Sequence, residues 1–358
     1  MDVETKMDLA LRPPTQEVVT QEELRALFET KAKPKHYIGF EASGLLHLGS
    51  LIVSGFKIRD LQRAGCETTV FLADWHSLIN RKFDGDWEKI QGACAYYREA
   101  FEFFCPGVKT VKGSELYEEK YWEDVMKFSR EITLARDVRC LTIMGRSEKE
   151  KLDLAQYFYP PMQAVDMRWL KVDIAHAGLE QRKIHMLARE AFPKMKWKPP
   201  VALHHALLPG LAEPEKSVAG TGGEEKEVGE AREVASKMSK SKPWTCVFIH
   251  DSAEEISKKI AKAYCPPKTV AGNPILAIAR DIVFHEKPEL RIERDAKFGG
   301  DAAFVSYGEL EKAFADGALH PADLKSAVAR ELNEVIAPVR KHFEKKKDLL
   351  RVYEDGGR

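Results

Sequence analysis

The spacing of apolar residues in the N-terminal part of the chain predicts alternating helices and strands. Thr20 is suited to cap a helix over residues 21–29, where apolar side chains recur at helical spacing. Residues 37–40 and 68–73 are short apolar runs typical of buried strands, and residues 47–63 between them follow a helical pattern. Two such strands joined by a helix form a βαβ unit, so we expect a parallel sheet.

Later segments extend this pattern into a chain of two domains. Further candidate strands lie at residues 110–111, 171–175 and 246–249, with helical patterns between them. We therefore predict an α/β fold with a Rossmann-like, doubly wound parallel sheet in a domain over residues 21–245. Only helical patterns follow, which predicts a separate, mostly α-helical domain over residues 251–358.

Two polar segments are expected to lie outside the packed core. The first 20 residues are polar and contain Pro13 and Pro14, which predicts a flexible N-terminal arm. Residues 210–235 are rich in Gly and Glu and almost free of large apolar side chains, which predicts a mobile surface loop. This loop leads directly into a group of lysines that begins at Lys237.

Composition limits the class of protein. Hydrophobic residues are 44% and charged residues 31% of the 358 positions, enough for a sizeable core. Lys and Arg total 56, as do Asp and Glu, so net charge indicates neither a nucleic-acid nor a membrane partner. The chain has no apolar run of membrane-spanning length and no apolar leader, which favours a cytoplasmic protein. The six cysteines form no CxxC pair, so we expect neither a zinc site nor a disulfide framework.

The segment 44–50 (GLLHLGS) lies where the first predicted strand turns into its helix. A helix N-terminus presents free N–H groups and a partial positive charge, which suit a phosphate group. His47 can donate to a phosphate oxygen, and Gly49 allows a base or a phosphate to approach the backbone. By itself the pattern fits equally well a histidine near a helix cap and a glycine required for packing.

A second segment, 236–242 (SKMSKSK), follows the glycine-rich loop. Lysine side chains are point charges on long stems, and serine hydroxyls add donors, so the segment suits a polyphosphate. A solvated basic loop is the alternative interpretation, and it is the usual one for a run of charges.

Taken together and in this order, the two segments resemble the signature pair of class I aminoacyl-tRNA synthetases. Five other segments resemble the archaeal and eukaryotic type of tyrosyl-tRNA synthetase: 37–41 (YIGFE), 159–166 (YPPMQAVD), 178–185 (GLEQRKIH), 297–301 (KFGGD) and 319–325 (LHPADLK). The likeness covers nearly the whole chain. It implies a Rossmann-like catalytic domain with a connective insert at about 115–150, followed by an α-helical anticodon-binding domain.

The resemblance implies L-tyrosine as a substrate. Tyr159, Gln163 and Asp166 lie at i, i+4 and i+7, so a helix would point all three the same way. A buried polar network that serves only the fold is the alternative. In the family, the residues matching Tyr37 and Asp166 hydrogen-bond the substrate phenol. Those matching Tyr159, Gln163 and Gln181 hold its amino group. An ionised Asp166 would accept the phenol proton while Tyr37 donates, so phenylalanine would leave both unpaired.

The resemblance also implies ATP as a substrate, together with Mg²⁺. The tyrosine carboxylate would attack the α-phosphorus and release pyrophosphate, and the tyrosyl group would then pass to the 3′ end of tRNA(Tyr). The catalytic residues implied are His47, Gly49, Ser50, Lys237, Ser239 and Lys240. Around the nucleotide the family pattern places Gly39, Gly49, Gly178, Met238 and Ser241. No metal ligand from the protein is expected.

Five residues are candidates for contact with tRNA. In the family, the residues matching Arg139 and Lys183 read the end of the acceptor stem. Those matching Phe298, His320 and Asp323 hold the first anticodon base, which an aromatic ring can stack on and a carboxylate can read. Without the resemblance, Phe298 would be interpreted as core and His320 as the start of a helix that Asp323 caps. The family also implies a homodimer.

Three positions depart from the family pattern. Ser50 stands where the signature most often has a second histidine, Ala177 takes the place of a glycine, and Tyr117 replaces a more polar side chain. Three alternatives therefore stay open: a tryptophanyl-tRNA synthetase, a synthetase paralogue without activity, and an adenylyltransferase that does not act on tRNA. The pair of Tyr37 and Asp166 argues against the first, because an indole N–H needs only one acceptor.

Overall fold

The computed structural model describes residues 1–144, 151–214 and 236–354, which form two compact units. The first unit comprises Met1–Gly44, Lys57–His205 and the stretch that begins at Asp348. The second comprises Leu45–Phe56 and the described part of Ala206–Lys347. The predicted boundary of 245–251 lies within the second unit and stays a prediction.

A six-stranded sheet forms the centre of the first unit. Its strands are β1 (Thr15–Val19), β2 (Lys35–Phe40), β3 (Glu67–Leu72), β4 (Lys109–Lys112), β5 (Ile174–Gly178) and β6 (Val201–His205). They lie in the order β1-β6-β5-β2-β3-β4, and only β1 is antiparallel to its neighbour. Among the parallel strands the chain starts in the middle and extends outward on both sides, which confirms the doubly wound, Rossmann-like prediction.

The helices from the N-terminus to β6 are α1 (Val3–Leu11), α2 (Gln21–Thr30), α3 (Ser54–Arg63), α4 (Asp74–Ile79), α5 (Trp87–Phe104), α6 (Glu119–Arg130), α7 (Leu134–Cys140), α8 (Tyr159–Trp169) and α9 (Arg182–Ala191). Thr20 caps α2 as predicted, because its hydroxyl accepts a hydrogen bond from the backbone N–H of Glu23. The helix predicted over residues 47–63 begins as a wide π-type turn, Leu48–Val53, and continues as α3.

Apolar side chains pack on both faces of this sheet. Successive strand residues point to opposite faces, so Ala175 of β5 faces the same side as its partner Tyr37 of β2, while Ile174 faces the other side. One core cluster joins Tyr37 and Ala175 to residues of α6, α7, α8 and α9, and another joins Ile174 to residues of α1, α2 and α3. The sheet is therefore the middle layer of a three-layer α/β structure.

The second unit is mostly helical. Its α-helices are α10 (Ala253–Lys262), α11 (Pro274–Ile278), α12 (Phe284–Glu286), α13 (Tyr307–Asp316) and α14 (Pro321–Glu344), and its short strands β7 (Leu290–Ile292) and β8 (Ala302–Phe304) pair antiparallel. Ile256 and Ile260, which the sequence places on one helix face, are both buried on α10. Among the described residues no helix combines the length and the apolar character needed to cross a membrane.

The first 20 residues do not form the predicted flexible arm. The apolar side of α1 is buried, and β1 pairs with β6. The buried Lys57 of α3 gives the physical reason, since its Nζ donates to the carbonyl oxygens of Leu9 and Arg12, each at 2.9 Å. These carbonyls lie at the end of α1, where helical carbonyls lack partners within the helix. Lys57 also lies 3.0 Å from a carboxylate oxygen of Asp60.

Two strand predictions need correction. Residues 246–249 form no strand of the sheet, and Phe248 instead makes an isolated bridge with His47. The sequence did not predict β6, which is fully buried although it contains two histidines. The strand predicted at 171–175 begins three residues later, at Ile174, because Lys171 adopts a positive φ of 54° in the preceding turn.

Two predicted loop segments fall partly outside the described residues. This holds for residues 215–235 of the loop predicted at 210–235, and for residues 145–150 of the insert predicted at about 115–150. The described part of that insert contains α6 and α7.

Three buried histidines form a hydrogen-bonded row across the sheet. Nε2 of His36 lies 3.0 Å from Nδ1 of His176, and Nε2 of His176 lies 2.8 Å from Nδ1 of His205. Burial lowers the pKa of His36 to about 3 and is the main cause that lowers the pKa of His205 to about 4. The folded protein therefore holds these rings neutral at physiological pH.

We expect this row to make the protein lose stability between about pH 6.5 and 4.5. Unfolded histidines bind protons near pH 6.5 and the folded rings do not, so the free energy of unfolding falls as pH falls, by up to about 1.4 kcal/mol per pH unit for each ring. Glu17 acts only at lower pH, because hydrogen bonds from His204 and Arg182 lower its pKa to about 2. Asp137, whose pKa burial raises to about 7, opposes the loss in this window, but it is one group against the three rings of the row. Urea unfolding at a series of pH values measures the effect, and a constant free energy across that window would contradict it.

Candidate active site

The sheet reverses its strand order between β2 and β5, and ligands of open α/β sheets bind at the carboxyl ends of such strands. Tyr37 lies in β2, and Gly178 is the last residue of β5. Tyr159, Gln163 and Asp166 all belong to α8, so the predicted helical spacing holds. This part of the first unit contains the residues that the sequence assigns to tyrosine.

Asp166 is fully buried and lies among aromatic hydroxyls. The Tyr121 hydroxyl donates to its Oδ1 at 2.9 Å. The other oxygen, Oδ2, has no hydrogen-bond partner among the described residues and lies 3.6 Å from Nε2 of His76. A buried acceptor without a partner is costly for the fold, and it is the arrangement expected of a site that binds a donor.

Burial raises the pKa of Asp166 well above its usual range, and the hydrogen bonds of Tyr121 and Tyr117 oppose this shift only in part. Burial, together with the carboxyl of Asp166, also raises the pKa of Tyr37. Burial therefore disfavours the ionised Asp166 predicted from the sequence, whereas a ligand hydroxyl that donates to Oδ2 would favour that form. Tyr37 stays a neutral phenol, able to donate.

Because Gly39 has no side chain, the Tyr37 side chain can occupy the space beside it. The two residues lie on the same face of β2, and a Cβ atom on Gly39 would be 2.5 Å from the hydroxyl oxygen of Tyr37. The backbone of β2 is held between β3 and β5, so the ring of Tyr37 would have to move. Gly39 thus places Tyr37, and its predicted contact with ATP stays a prediction.

Gln163 and Gln181 supply polar groups beside Asp166 on α8 and at the start of α9. Nε2 of Gln163 donates to Oε1 of Gln181 at 3.2 Å, and Nε2 of Gln181 donates to the carbonyl of Ile143 at 3.1 Å. Oε1 of Gln163 is buried and has no hydrogen-bond partner within the described ranges. Burial raises the pKa of Tyr159 well above its usual value, and the nearby Glu41 raises it further. An unpaired amide oxygen suits a cationic donor such as an ammonium group.

In the second unit, His47 begins the turn Leu48–Val53. Its Nδ1 accepts a hydrogen bond from the backbone N–H of Gly49 at 3.2 Å, so the ring proton lies on Nε2, which is then a donor. A Cβ atom on Gly49 would lie 3.2 Å from Cε1 of His47, closer than side chains normally pack. The glycine predicted to admit a phosphate therefore also keeps this turn tight.

The lysine segment lies near this turn within the same unit. Two backbone hydrogen bonds of 3.1 Å join residues 46–48 to residues 247–249, which follow the lysines. Burial, with the charges of Lys240 and Lys237, lowers the pKa of His47 to about 3. The second unit thus brings together a neutral imidazole donor and two lysines, which together suit a polyphosphate.

Ser50 has a structural task that the sequence did not reveal. Its Oγ accepts a hydrogen bond from the backbone N–H of His47 at 2.9 Å and lies 3.2 Å from the His47 carbonyl oxygen. The hydroxyl closes the turn from both sides and so fixes His47. Its contact with the reacting phosphates stays a prediction.

Met238 fixes the lysine segment to the rest of the second unit. This side chain is buried, and its backbone N–H donates to the carbonyl of Leu208 at 2.6 Å. The hydroxyl oxygens of Ser239 and Ser241 are exposed and lie 3.0 Å apart. The segment therefore combines a fixed apolar residue with exposed hydroxyls that can hydrogen-bond a phosphate.

Four of the five residues predicted to contact tRNA are exposed, and Asp323 is half-buried. In the first unit, Arg139 on α7 and Lys183 on α9 are exposed, and these two helices pack together. In the second unit, Phe298 is 64% exposed, which contradicts its interpretation as a core residue. The ammonium of Lys297 lies 4.9 Å from the centre of the Phe298 ring. An exposed ring with a neighbouring cation suits an unpaired base.

His320 and Asp323 lie at the start of α14. Nδ1 of His320 accepts a hydrogen bond from the backbone N–H of residue 322 at 3.2 Å, so the histidine caps the helix and Asp323 does not. Arg294, which sequence analysis missed, links this region to the turn of Phe298. It donates to the carbonyls of Gly300 at 2.6 Å and Ala318 at 3.2 Å.

Sequence analysis also missed His76 and Tyr121 in the pocket of Asp166. His76 lies in α4, directly after β3, and polar residues just beyond the carboxyl end of a central strand are the signal that could have identified it. Tyr121 lies in α6 within an ordinary amphipathic pattern, so nothing in the sequence marks it.

Comparison with known proteins agrees with this architecture. The family of tRNA synthetases class I (W and Y) matches residues 29–223 and 230–337. The tyrosine–tRNA ligases of Thermococcus kodakarensis and Pyrococcus abyssi are each 46% identical to this chain, over 98% of both chains. The crystal structure of tyrosyl-tRNA synthetase complexed with L-tyrosine from Pyrococcus horikoshii has a TM-score of 0.91 and 45% identity, and the match covers 98% of this chain and 99% of that one.

A tryptophanyl-tRNA synthetase from Plasmodium falciparum has a TM-score of 0.66 at 16% identity, covering 96% of this chain and 87% of that one, so it shares the fold alone. The matches of high identity carry more weight, because they extend over nearly the entire length of both partners. The chain therefore belongs to the class I tRNA synthetases of the tryptophan and tyrosine family, and within that family to the tyrosine–tRNA ligases.

Proposed function

We propose that this chain attaches L-tyrosine to tRNA(Tyr) in two steps, by way of tyrosyl-adenylate. The observation that carries the proposal is the buried carboxyl of Asp166. Its Oδ2 has no hydrogen-bond partner among the described residues, and the carboxyl lies near enough to Tyr37 to raise the pKa of its hydroxyl. The relatives of high identity are named tyrosine–tRNA ligases, and one of them was crystallised with L-tyrosine. The tryptophanyl alternative has support from a shared fold and from a family that includes both specificities, and neither favours tryptophan over tyrosine.

Asp166 and Tyr37 would recognise the phenol of the substrate. The phenol donates to Oδ2 of Asp166 and accepts from the hydroxyl of Tyr37. A phenylalanine ring offers neither contact and would leave a buried acceptor and a buried donor unpaired, which costs on the order of 1–3 kcal/mol for each group. This pairing is the basis on which the pocket would select tyrosine.

The amino group of tyrosine would bind to the polar groups of α8 and its neighbour. Oε1 of Gln163 is the unpaired acceptor there, and Gln181 holds the Gln163 amide in place. Tyr159 completes the predicted set with its hydroxyl. Two poles of hydrogen bonding, one for the phenol and one for the ammonium, would fix the position of the substrate carboxylate.

The carboxylate of tyrosine would attack the α-phosphorus of ATP, and the bond from that phosphorus to the pyrophosphate oxygen would break. Nε2 of His47 would donate to a phosphate oxygen, and Lys237 and Lys240 would neutralise the charge that develops on the leaving pyrophosphate. Mg²⁺ would enter as the ATP complex, with phosphate and water oxygens as its ligands.

The contact with tRNA would use both units. Arg139 and Lys183 present cations on α7 and α9, and Phe298 offers an exposed ring for stacking on an anticodon base, near His320 and Asp323. An adenylyltransferase that does not act on tRNA gives no reason for this exposed ring.

We also propose a homodimer that works in the cytoplasm. Trp122 and Met126, one turn apart on α6, are 37% and 47% exposed, and an apolar helix face of this kind suits a subunit interface. All six cysteines are free and buried, which suits a reducing compartment.

Amino-acid-dependent exchange of pyrophosphate into ATP tests the proposed function directly. We expect exchange with tyrosine, and at most a trace with tryptophan or phenylalanine. Exchange that tryptophan drives and tyrosine does not would refute the assignment, and no exchange with any amino acid would favour the inactive paralogue.

Lys240→Ala should lower kcat in this exchange by about a hundredfold, while the KM for tyrosine changes little, because the lysine acts on charge that develops in the transition state. Lys341→Ala, on an exposed position of α14, is the matched control and should retain full activity. An equal loss in both variants would speak against the assigned role.

Gly39→Ala should raise the KM for tyrosine about tenfold with little loss of stability, since the added methyl group displaces the Tyr37 hydroxyl. Gly308→Ala is the control, because a Cβ atom there meets nothing within 4 Å. Steady-state exchange kinetics measure both, and an unchanged KM in Gly39→Ala would show that Tyr37 does not contact the substrate.

A further inference from the structure

One ring nitrogen of His76 and one carboxyl oxygen of Asp166 are buried close to each other. Nε2 of His76 and Oδ2 of Asp166 lie 3.6 Å apart, and neither makes a hydrogen bond to any residue that the structure describes. The two residues are 1% and 0% exposed. Oδ1 of Asp166 is already paired with Tyr121, so Oδ2 is the oxygen left for a ligand. Leaving both atoms unpaired costs the fold free energy that a bound hydroxyl would recover.

The separation of these atoms fits a single hydroxyl group. An oxygen placed about 2.8 Å from each would subtend an angle of roughly 80° between them, a bent but feasible arrangement. A direct bond between His76 and Asp166 would instead require a distance near 2.8 Å, which the two side chains do not reach. The distance between His76 and Asp166 therefore suits one ligand group that hydrogen-bonds both side chains.

We propose that His76 is a third residue that binds the phenol of tyrosine, with its Nε2–H donating to the phenol oxygen while the phenol donates to Oδ2 of Asp166. This inference rests on the proposed function. A phenol has one donor and two acceptor positions, and Asp166, His76 and Tyr37 would use all three. Phenylalanine would then leave three buried groups unpaired.

Tyr117 positions the proton of His76. Its hydroxyl lies 3.5 Å from Nδ1 of His76, the ring nitrogen that points away from Asp166. The Tyr117 hydroxyl also hydrogen-bonds Asp166 and has one proton, so it would donate to Nδ1 once the substrate phenol is bound to Asp166. The ring proton of His76 then lies on Nε2, where the phenol oxygen needs a donor. Burial lowers the pKa of His76 to about 3, so the ring is neutral and carries one proton.

The surroundings hold the Tyr117 ring in this position. The ring stacks on Tyr121 with centroids 4.0 Å apart and an angle of 17° between the planes. Gly113 leaves room for it, because a Cβ atom there would lie 3.0 Å from the Tyr117 hydroxyl and 2.8 Å from Asp74. The tyrosine that departs from the family pattern therefore has a specific task in this pocket.

The first test compares substrates in pyrophosphate exchange. His76→Phe keeps a ring and removes both nitrogens, and it should raise the KM for tyrosine about tenfold or more while exchange with phenylalanine is unchanged or faster. His76→Gln places an amide donor near the position of Nε2 and should recover most of this loss. His342→Phe, the same exchange on α14, is the control and should behave as wild type.

The second test reads the ring proton in the wild-type protein. Nitrogen-15 NMR of labelled histidine distinguishes a protonated Nε2 from a protonated Nδ1, and His76→Gln identifies the signal. We expect the proton on Nε2 in the complex with tyrosine, and a mixture of both forms in Tyr117→Phe. A proton on Nδ1 in the wild-type complex would overturn the proposal.

The outcomes separate this inference from the proposed function. If the wild-type protein activates tyrosine and His76→Phe discriminates tyrosine from phenylalanine equally well, the role of His76 is overturned and the proposed function stands. A wild-type protein that activates tryptophan in place of tyrosine overturns both.

Discussion

Asp166→Asn is expected to lower kcat/KM for tyrosine in pyrophosphate exchange by about 100- to 1,000-fold, which corresponds to about 3–4 kcal/mol. The asparagine Oδ1 can still accept from Tyr121, but an NH₂ group replaces Oδ2, so a donor faces the phenol where an acceptor is required. The phenol proton then lacks a partner in a buried site. The loss should appear mainly as a higher KM, since recognition of the phenol is affected and the phosphates are not.

The same substitution should leave the fold intact or more stable. Burial raises the pKa of Asp166, which means that the charged carboxylate costs stability at neutral pH, and asparagine carries no charge. Asp137→Asn is a matched control, because burial also raises the pKa of Asp137, to about 7, and neither of its oxygens has a partner in the described part of the chain. Asp137 lies on α7, outside the set of residues assigned to tyrosine. Tyrosine activation that survives in Asp166→Asn would show that the specificity is assigned to the wrong group.

Lys57→Met should lower the free energy of unfolding by about 3–5 kcal/mol, the loss typical of breaking a buried, hydrogen-bonded ion pair. The ammonium of Lys57 is fully buried and donates to three carbonyls at the end of α1 and to Asp60. Methionine fills a similar volume but cannot donate to the carbonyls or to Asp60, to which Arg12 still donates. Urea unfolding measures the loss.

Hydrogen exchange should show where the Lys57 variant loosens. We expect the backbone amides of α1 to lose protection first, because these are the groups whose position depends on the lysine. Lys33→Met, at an exposed lysine, serves as the control. A change in stability below about 1 kcal/mol in Lys57→Met would mean that packing of the apolar side of α1 suffices to hold it.

The sequence predicted most reliably those elements whose local pattern and tertiary environment agree. β2 and β3 are short apolar runs in the centre of the sheet, and α2 has both a cap and an apolar stripe. The spacing of Tyr159, Gln163 and Asp166 on α8 was also readable, because helical geometry alone determines which positions share a face.

The errors have one physical origin, which is pairing over long distances in sequence. The N-terminal residues look polar, but Lys57 and β6 provide partners that no local pattern reveals. β6 itself contains two histidines, which are rare in a fully buried strand unless other groups take their hydrogen bonds, and His176 and His185 do so.

The candidate site shows the same limit. Asp166 and its neighbours come from segments that lie far apart in sequence. His76, Tyr117 and Tyr121, which contact one another or Asp166, are about 45 to 90 residues away from it along the chain. A motif identifies the residues of one segment, whereas the partners that determine their protonation come from others.

The chain passes between the two compact units after Gly44, Phe56, His205 and Lys347, so the His47 turn belongs to the unit that also contains the C-terminal helices. Proteolytic fragments or chimaeras divided once near residue 245 would thus separate His47 from the backbone to which it is bonded. To exchange the second unit between related ligases, one would have to transfer the His47 turn together with the lysine segment, although the two are far apart in sequence.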